Sequence, residues 1–281
     1  KPYVVKEVDG VKVGFVGLAT KETASTVLAE NVANYEFEDL KPVAEKWVNY
    51  LKSGNAPEGK VDIVIALTHV DSFQNEVKDE KTGEVVSNEV TGDVVDSGLC
   101  EVEGLDAVIS AHSHQIVAGY VGKMPVVQGY YNGRALGHLT IALNKDNTVA
   151  KITPAVDVLY NRKSEMIADP NGEKIFGEYE KQLAPILNDV VGKTDTGLEH
   201  NRKEKVGTST LGYWTCDIMR KAAGTQIGLN NQGGLRESLK AGNITMGDLY
   251  TVMPFDNTLC KLELSGAELK KVIENGVNNE E

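Results

Sequence analysis

Three of the chain's five histidines stand at the ends of apolar runs. His69 closes VDIVIALTH, and His112 and His114 close LDAVISAHSH. Runs of this composition read as buried strands. In an open α/β sheet, ligands collect at the carboxyl ends of strands. Alternate residues of an extended segment share a face, so His112 and His114 are expected on one side with Ser113 opposite. Two imidazoles on one side, joined by a third from another strand end, make a plausible ligand set for a divalent metal. One such histidine alone reads as a hydrogen-bonded structural residue; three in the same context favour metal. His138 and His200 lack that context and read as structural.

Two further stretches could recognise a ligand. In NNQGGLR (230–236), the paired glycines Gly233 and Gly234 would let backbone N–H groups come close to a bound group. Arg236 offers a planar fork suited to phosphate or carboxylate. An ordinary glycine turn is the competing reading. In MPFDN (253–257), Pro254 stiffens the backbone and Phe255 falls in a loop with no core periodicity. Its ring could stack on a nucleobase, with Asn257 reaching a base edge. A phenylalanine folded onto its own domain is the alternative.

These residues need a scaffold, and the first half supplies alternating strands and helices. VKVGFVGL (11–18) reads as a strand. Leu40, Val43, Ala44, Trp47, Val48 and Leu51 form one apolar helical stripe, with Asp39 as a cap and Pro42 in the first turn. VDIVIALTH follows, giving a βαβ unit and a sheet covered by helices. Residues 71–98 read as a long loop or short hairpin. Further strands are expected at LDAVISAHSH, MPVVQGYY, ALGHLTIALN and DNTVAKITPAVDVL. DPNGEK (169–174) reads as a turn, and residues 175–191 as a linker helix containing Pro185. The second region reads as a helix (206–224), a strand entering the Gly-rich turn (225–236), a short helix (245–255), a strand (258–266) and a final helix (266–276).

Composition excludes several classes. The 281 residues carry a net charge of −12, 41% hydrophobic and 25% charged residues, ordinary for a globular chain of roughly two domains. The acidic balance argues against binding nucleic acid or an anionic membrane, which need a basic footprint. No run approaches the ~20 apolar residues of a membrane helix. The opening KPYVVKEVDG has no apolar signal core, consistent with a removed leader or an internal piece. Cys100, Cys216 and Cys260 lie far apart and read as core thiols.

Taken in order, these motifs resemble the 5′-nucleotidase family, the calcineurin-like metallophosphatases with an attached nucleotide-binding domain. KPYVVKEVDGVKVGFVGLATKET, ALTH and AHSH look like parts of its metallophosphatase domain. NNQGGLR, GNITMGDLYTVMPFDN and LELSGAELKKVIENG are similar to its C-terminal domain. The resemblance implies an α/β (α+β) chain: a partial metallophosphatase sheet sandwich over 1–159, a linker helix region over 160–191, and part of a smaller nucleotide-binding domain over 192–281. It implies two divalent ions such as Zn, Mn or Co, with His69 and His112 serving one and His114 the other. It implies a nucleotide substrate held by Lys205, Asn231, Gly233, Gly234, Arg236, Phe255 and Asn257, and a hinge near 160–191.

The implied activity is hydrolysis of nucleoside monophosphates. A 2′,3′-cyclic-nucleotide phosphodiesterase with 3′-nucleotidase activity, a UDP-sugar hydrolase and a non-catalytic nucleotide-binding surface protein are alternatives. Lys205 replaces a common Arg, Ala111 a Gly before the His-Ser-His motif, and Asp71 a Gly after His69. The family's Asp-x-His, bridging Asp and Asn-His-Glu or Asn-His-Asp motifs would precede Lys1, and its second stacking aromatic would follow Glu281. The resemblance therefore implies a fragment that alone binds metal weakly and carries no catalytic residue of its own. An extracellular, cell-wall or periplasmic location follows from the same likeness.

Overall fold

The computed structural model describes residues 2–78, 85–146, 148–200, 209–255 and 257–278. The chain divides into two compact units, Lys1–Met166 and Ile167–Glu281. The division falls inside the stretch read as a linker. The mixed α/β class implied by the sequence is the class observed.

The first unit is built on a six-stranded sheet. Its strands are β1 (Tyr3–Val8), β2 (Val11–Ala19), β3 (Ile63–His69), β6 (Ala107–Ile109), β7 (Ile116–Val121) and β8 (Met124–Gly129), in the order β1-β2-β3-β6-β8-β7. The inner strands β2, β3, β6 and β8 run parallel, and the two edge strands run antiparallel to their neighbours. Period-two alternation sorts β3 between the two faces. Val64 and Ala66 pack on the larger core, and Ile63 and Ile65 on the smaller one.

The larger core is covered by helix α3 (Leu40–Lys52), which follows two one-turn helices, α1 (Thr23–Thr26) and α2 (Ala29–Val32). Leu40, Ala44, Val48 and Leu51 of α3 are buried, the stripe the spacing predicts. Each large apolar burial of this kind contributes about 1.5–3 kcal/mol before entropy is counted. Asp39 stands at the N-cap position but makes no side-chain cap bond; it pairs with Lys21 at 2.7 Å instead. The opposite face is closed by the hairpin of β9 (Ala135–Leu143) and β10 (Val149–Val158), which contributes Leu139, Ile141 and Ile152. Within residues 71–98, β4 (Phe73–Lys78) and β5 (Val85–Thr91) pair antiparallel, and the one-turn helix α4 (Asp93–Asp96) follows.

The second unit is thinner. It opens with α5 (Pro170–Leu187), whose first turn is the DPNGEK stretch expected to be a turn. Asp169 caps it by accepting from the Gly172 N–H at 2.7 Å, and Pro170 takes the first helical position. There follow β11 (Val190–Thr194), α6 (Thr210–Ala223), β12 (Gly242–Thr245), α7 (Met246–Val252) and α8 (Gly266–Asn278). β11 and β12 pair antiparallel over a core of Leu211, Leu235, Leu239, Ile244 and Val252.

Several expectations are corrected. Residues 225–231 and 258–265 are not strands. The LDAVISAHSH strand shrinks to the three residues of β6. Edge strands β1 and β7 were not expected. Cys260 is exposed rather than a core thiol, while Cys100 is half-buried and its thiol is pushed up to about 12 by that burial. Among the described residues, no helix is long and apolar enough to cross a membrane.

Candidate metal and nucleotide sites

His69 ends β3, next to Ala19 at the end of β2. His112 and His114 do not continue β6. Both lie in the turn after it with left-handed backbones, at φ 70° and 54°, so strand alternation does not set their directions. What fixes the turn is a buried polar network. The Ser113 hydroxyl donates to the Ser72 carbonyl at 2.7 Å. Gln128, 1% exposed, donates to Ser72 Oγ at 2.8 Å and Ser113 Oγ at 2.9 Å, and accepts the Gln115 N–H at 2.9 Å. Ser72 Oγ lies 2.6 Å from Ser110 Oγ. A satisfied buried network of this sort holds a backbone in a conformation it would otherwise leave.

The turn brings two of the three histidines together. His112 Nδ1 lies 3.2 Å from His69 Nε2, and His112 Nε2 lies 3.2 Å from Glu22 Oε2. An ionised carboxylate only accepts, which assigns a proton to Nε2 of His112 and, in the neutral ring, a lone pair to Nδ1. Carboxylate, imidazole and open nitrogen in line is the arrangement of a ligating histidine. Two imidazole nitrogens on one tetrahedral ion, each at about 2.0–2.1 Å, stand about 3.4 Å apart. The observed separation fits that spacing; without a cation, one proton between the rings serves. Burial, then the neighbouring His112, lowers the pKa of His69.

Carboxylates crowd the same neighbourhood. Asp71 Oδ1 accepts the Asp93 N–H at 2.6 Å. The Asp93 carboxyl is held above the ordinary range by burial first, then by Asp71, Glu22 and Asp96. Like charges gathered without a cation favour one nearby. The His114 ring stacks on Tyr131 with centroids 5.1 Å apart. Among the described residues, no group of three or more His, Cys, Asp or Glu is placed to share one cation. The residues present therefore fit a share of a metal site, two donors with a carboxylate behind one of them.

The second unit gathers most of the other candidates. Asn231 leads into a single 3-10 turn at Gln232–Gly234. Gly234 lets the Asn230 and Asn231 side-chain oxygens come close, since a Cβ there would sit 2.8 Å from Asn231 Oδ1 and 3.1 Å from Asn230 Oδ1. Arg236 Nη1 donates to the Gly233 carbonyl at 3.0 Å, and its guanidinium carbon lies 5.5 Å from the Phe255 ring centroid. Phe255 is 50% exposed, so it is not folded away into its own core. Asn257 is exposed beyond it. Lys205 lies outside the described residues. His200, read as structural, is buried with Nδ1 2.9 Å from Ser209 Oγ.

Residues 190–281 match the family described as 5′-nucleotidase, C-terminal domain. Over those residues the chain is similar to the C-terminal domain of the 5′-nucleotidase family. It is 32% identical over 271 residues to Endonuclease YhcR of Bacillus subtilis, covering 96% of this chain and 21% of that protein. It is 29% identical to Cell wall protein Lmo0130 of Listeria monocytogenes, covering 97% of this chain and 36% of that protein. The fold matches the crystal structure of a 5′-nucleotidase precursor from Thermus thermophilus with a TM-score of 0.70 and 23% identity. That match covers 98% of this chain and 53% of the other. The chain thus spans between about a fifth and about half of the family relatives it matches.

Sequence reasoning missed Glu22, Asp93, Gln128, Tyr131 and Arg134. Asp71 alone gave a signal, as an acid where the family commonly has glycine. The others are joined to the histidines only by the fold.

Proposed function

We propose that the protein containing this chain is a metal-dependent hydrolase that releases phosphate from nucleoside monophosphates. The observation that supports this most is the His69–His112 pair, with nitrogens 3.2 Å apart and Glu22 behind His112. His69, His112 and, by family resemblance, His114 would hold divalent ions, with the remaining donors elsewhere in the parent polypeptide. Such ions, when bound, neutralise phosphoryl charge and lower the pKa of a water. Glu22 keeps the Nε2 proton of His112 and so leaves the Nδ1 lone pair facing His69. In the second unit, Arg236 would present a cationic group to a phosphate, joined by Lys205 on the family resemblance alone, and Asn231 would supply a side-chain amide. Gly233 and Gly234 leave the backbone open. Phe255 offers a ring face to the base and Asn257 a polar edge. Export to the extracellular space, periplasm or wall is proposed with the function, supported by the relative named as a cell wall protein.

A phosphodiester substrate is the second reading, favoured by the relative named as an endonuclease. The net charge of −12 directs that reading to small cyclic or short diesters rather than long nucleic acid.

The test is a panel of AMP, 2′,3′-cyclic AMP and a UDP-sugar on the full-length protein with Mn²⁺, Zn²⁺ or Co²⁺. His112→Ala is expected to abolish metal-dependent turnover; an unchanged rate removes His112 from the ligand set. Arg236→Ala is expected to raise KM about tenfold, as loss of a bond to a charged group does.

A further inference from the structure

The loop after β8 holds an arrangement that the hydrolase reading leaves unused. Tyr130 and Asn132 both have left-handed backbones, at φ 64° and 52°. Asparagine tolerates this conformation; for tyrosine it is an outlier, costing about 1–3 kcal/mol. The loop is nonetheless tied at several points. The Tyr130 N–H donates to the Gln115 carbonyl and the Arg134 N–H to the Tyr131 carbonyl, each at 3.0 Å. The Arg134 carbonyl accepts the N–H groups of Leu159 and Tyr160 at 2.8 and 3.0 Å.

The result is a ring held from two directions. The Tyr131 ring stacks on the His114 imidazole at 5.1 Å with planes 26° apart. Arg134 Nη1 donates to the Tyr131 hydroxyl at 2.7 Å, and its guanidinium carbon stands 4.6 Å from the ring centroid. With an imidazole stacked on it and a cation over it, the ring has little face left for a planar ligand. This argues against a nucleobase platform and for a support.

We infer that Tyr131, pinned by Arg134, is a positioning residue that fixes the plane of the His114 imidazole. Ser113 anchors the backbone of the histidine turn, and Tyr131 sets the second imidazole of that turn. The inference rests on the reading of His114 as a metal ligand. A ligand ring left free to rotate binds a cation less well, because ordering it is then part of binding.

Two measurements test this. In the metal-free chain, the ring protons of His114 are expected to be displaced in NMR spectra by the Tyr131 ring current. They return to ordinary positions in Tyr131→Ala and stay displaced in Tyr131→Phe. In the full-length protein, calorimetry with Mn²⁺ is expected to show affinity about tenfold weaker in Tyr131→Ala. Tyr131→Phe restores most of it, and Arg134→Leu, which keeps the ring and loses the pin, falls between. Wild-type affinity in both Tyr131→Ala and Arg134→Leu, beside a loss in His114→Ala, overturns the positioning role alone. Unchanged affinity in His114→Ala overturns the ligand assignment and the positioning role with it. If Tyr131→Ala does not fold, Arg134→Leu decides.

Discussion

The two candidate ligand loops are supported in different ways. The histidine turn of the first unit rests on a buried network in which Gln128, Ser72 and Ser110 are almost wholly shielded from water. The Asn-Gln-Gly-Gly loop of the second unit rests on a short 3-10 turn, one guanidinium-to-carbonyl bond and a half-exposed phenylalanine. The cores differ in the same direction: the first unit buries two clusters around its sheet and the second a single cluster of five residues. Helix α5 has no buried residue, and Leu262 is 77% exposed. A site that holds ions needs fixed donors; a site that admits and releases nucleotides can leave its groups adjustable. The comparison predicts that substitutions under the histidine turn change stability and site geometry together, whereas those around Phe255 change binding with little effect on stability.

The largest expected effect is therefore at Gln128. Gln128→Leu keeps the volume and removes the bonds from Gln128 to Ser72, Ser113 and the Gln115 N–H, leaving the direct Ser113–Ser72 contacts. Unsatisfied buried partners cost about 1–3 kcal/mol each, partly relieved by relaxation. A loss of about 3 kcal/mol is expected in the urea transition of the first unit. A loss below about 1 kcal/mol would mean that the turn keeps its left-handed histidines without the network.

Nothing in the sequence marks Gln128 as special. It lies in MPVVQG, read as a strand, and its partners are 13 to 56 residues away. What was legible is what period and composition control. Strands β2 and β3 and the α3 stripe follow from apolar runs and helical spacing. The histidine turn did not, because AHSH continues the apolar run of β6 in composition while the chain there changes to positive φ. Edge strand β7 was hidden by its glycine. That glycine is needed because a Cβ on Gly119 would come within 2.7 Å of Val90 Cγ2. β1 mixes valine with charge because an edge strand needs only one covered face.

The middle effect falls on the other side of the comparison. Phe255→Ala removes an exposed ring whose described contact is the Arg236 guanidinium. Stability is expected to change by less than about 0.5 kcal/mol. Affinity for AMP in the full-length protein is expected to fall about tenfold, the usual scale of a lost base–aromatic stack. A large drop in melting temperature with unchanged affinity would make the phenylalanine a packing residue and erase the contrast. In the sequence this position was readable only as an aromatic without periodicity. That the ring is exposed, and that Arg236 meets it, required the fold of residues 236–255.

The smallest effect is electrostatic and also lies in the second unit. Thr245 and Asp248 form a capping box at the start of α7. The Thr245 backbone N–H and hydroxyl both donate to Asp248 Oδ2 at 2.8 Å, and the Asp248 N–H donates back to Thr245 Oγ at 3.1 Å. The backbone bond first, then the hydroxyl, holds the Asp248 carboxyl below its ordinary value. A depressed carboxyl adds stability above its unfolded pKa of about 3.9 and loses it as pH falls through the lower folded value. The second unit of the wild-type chain should therefore lose stability below about pH 4 more steeply than that of Asp248→Asn, whose amide does not titrate. Because the group is exposed, the difference should be small and shrink further in salt. Parallel pH profiles for the two proteins would show that the cap contributes through its hydroxyl alone. The first unit should be indifferent to this substitution, since α7 packs within the core of Leu211, Leu235, Leu239, Ile244 and Val252.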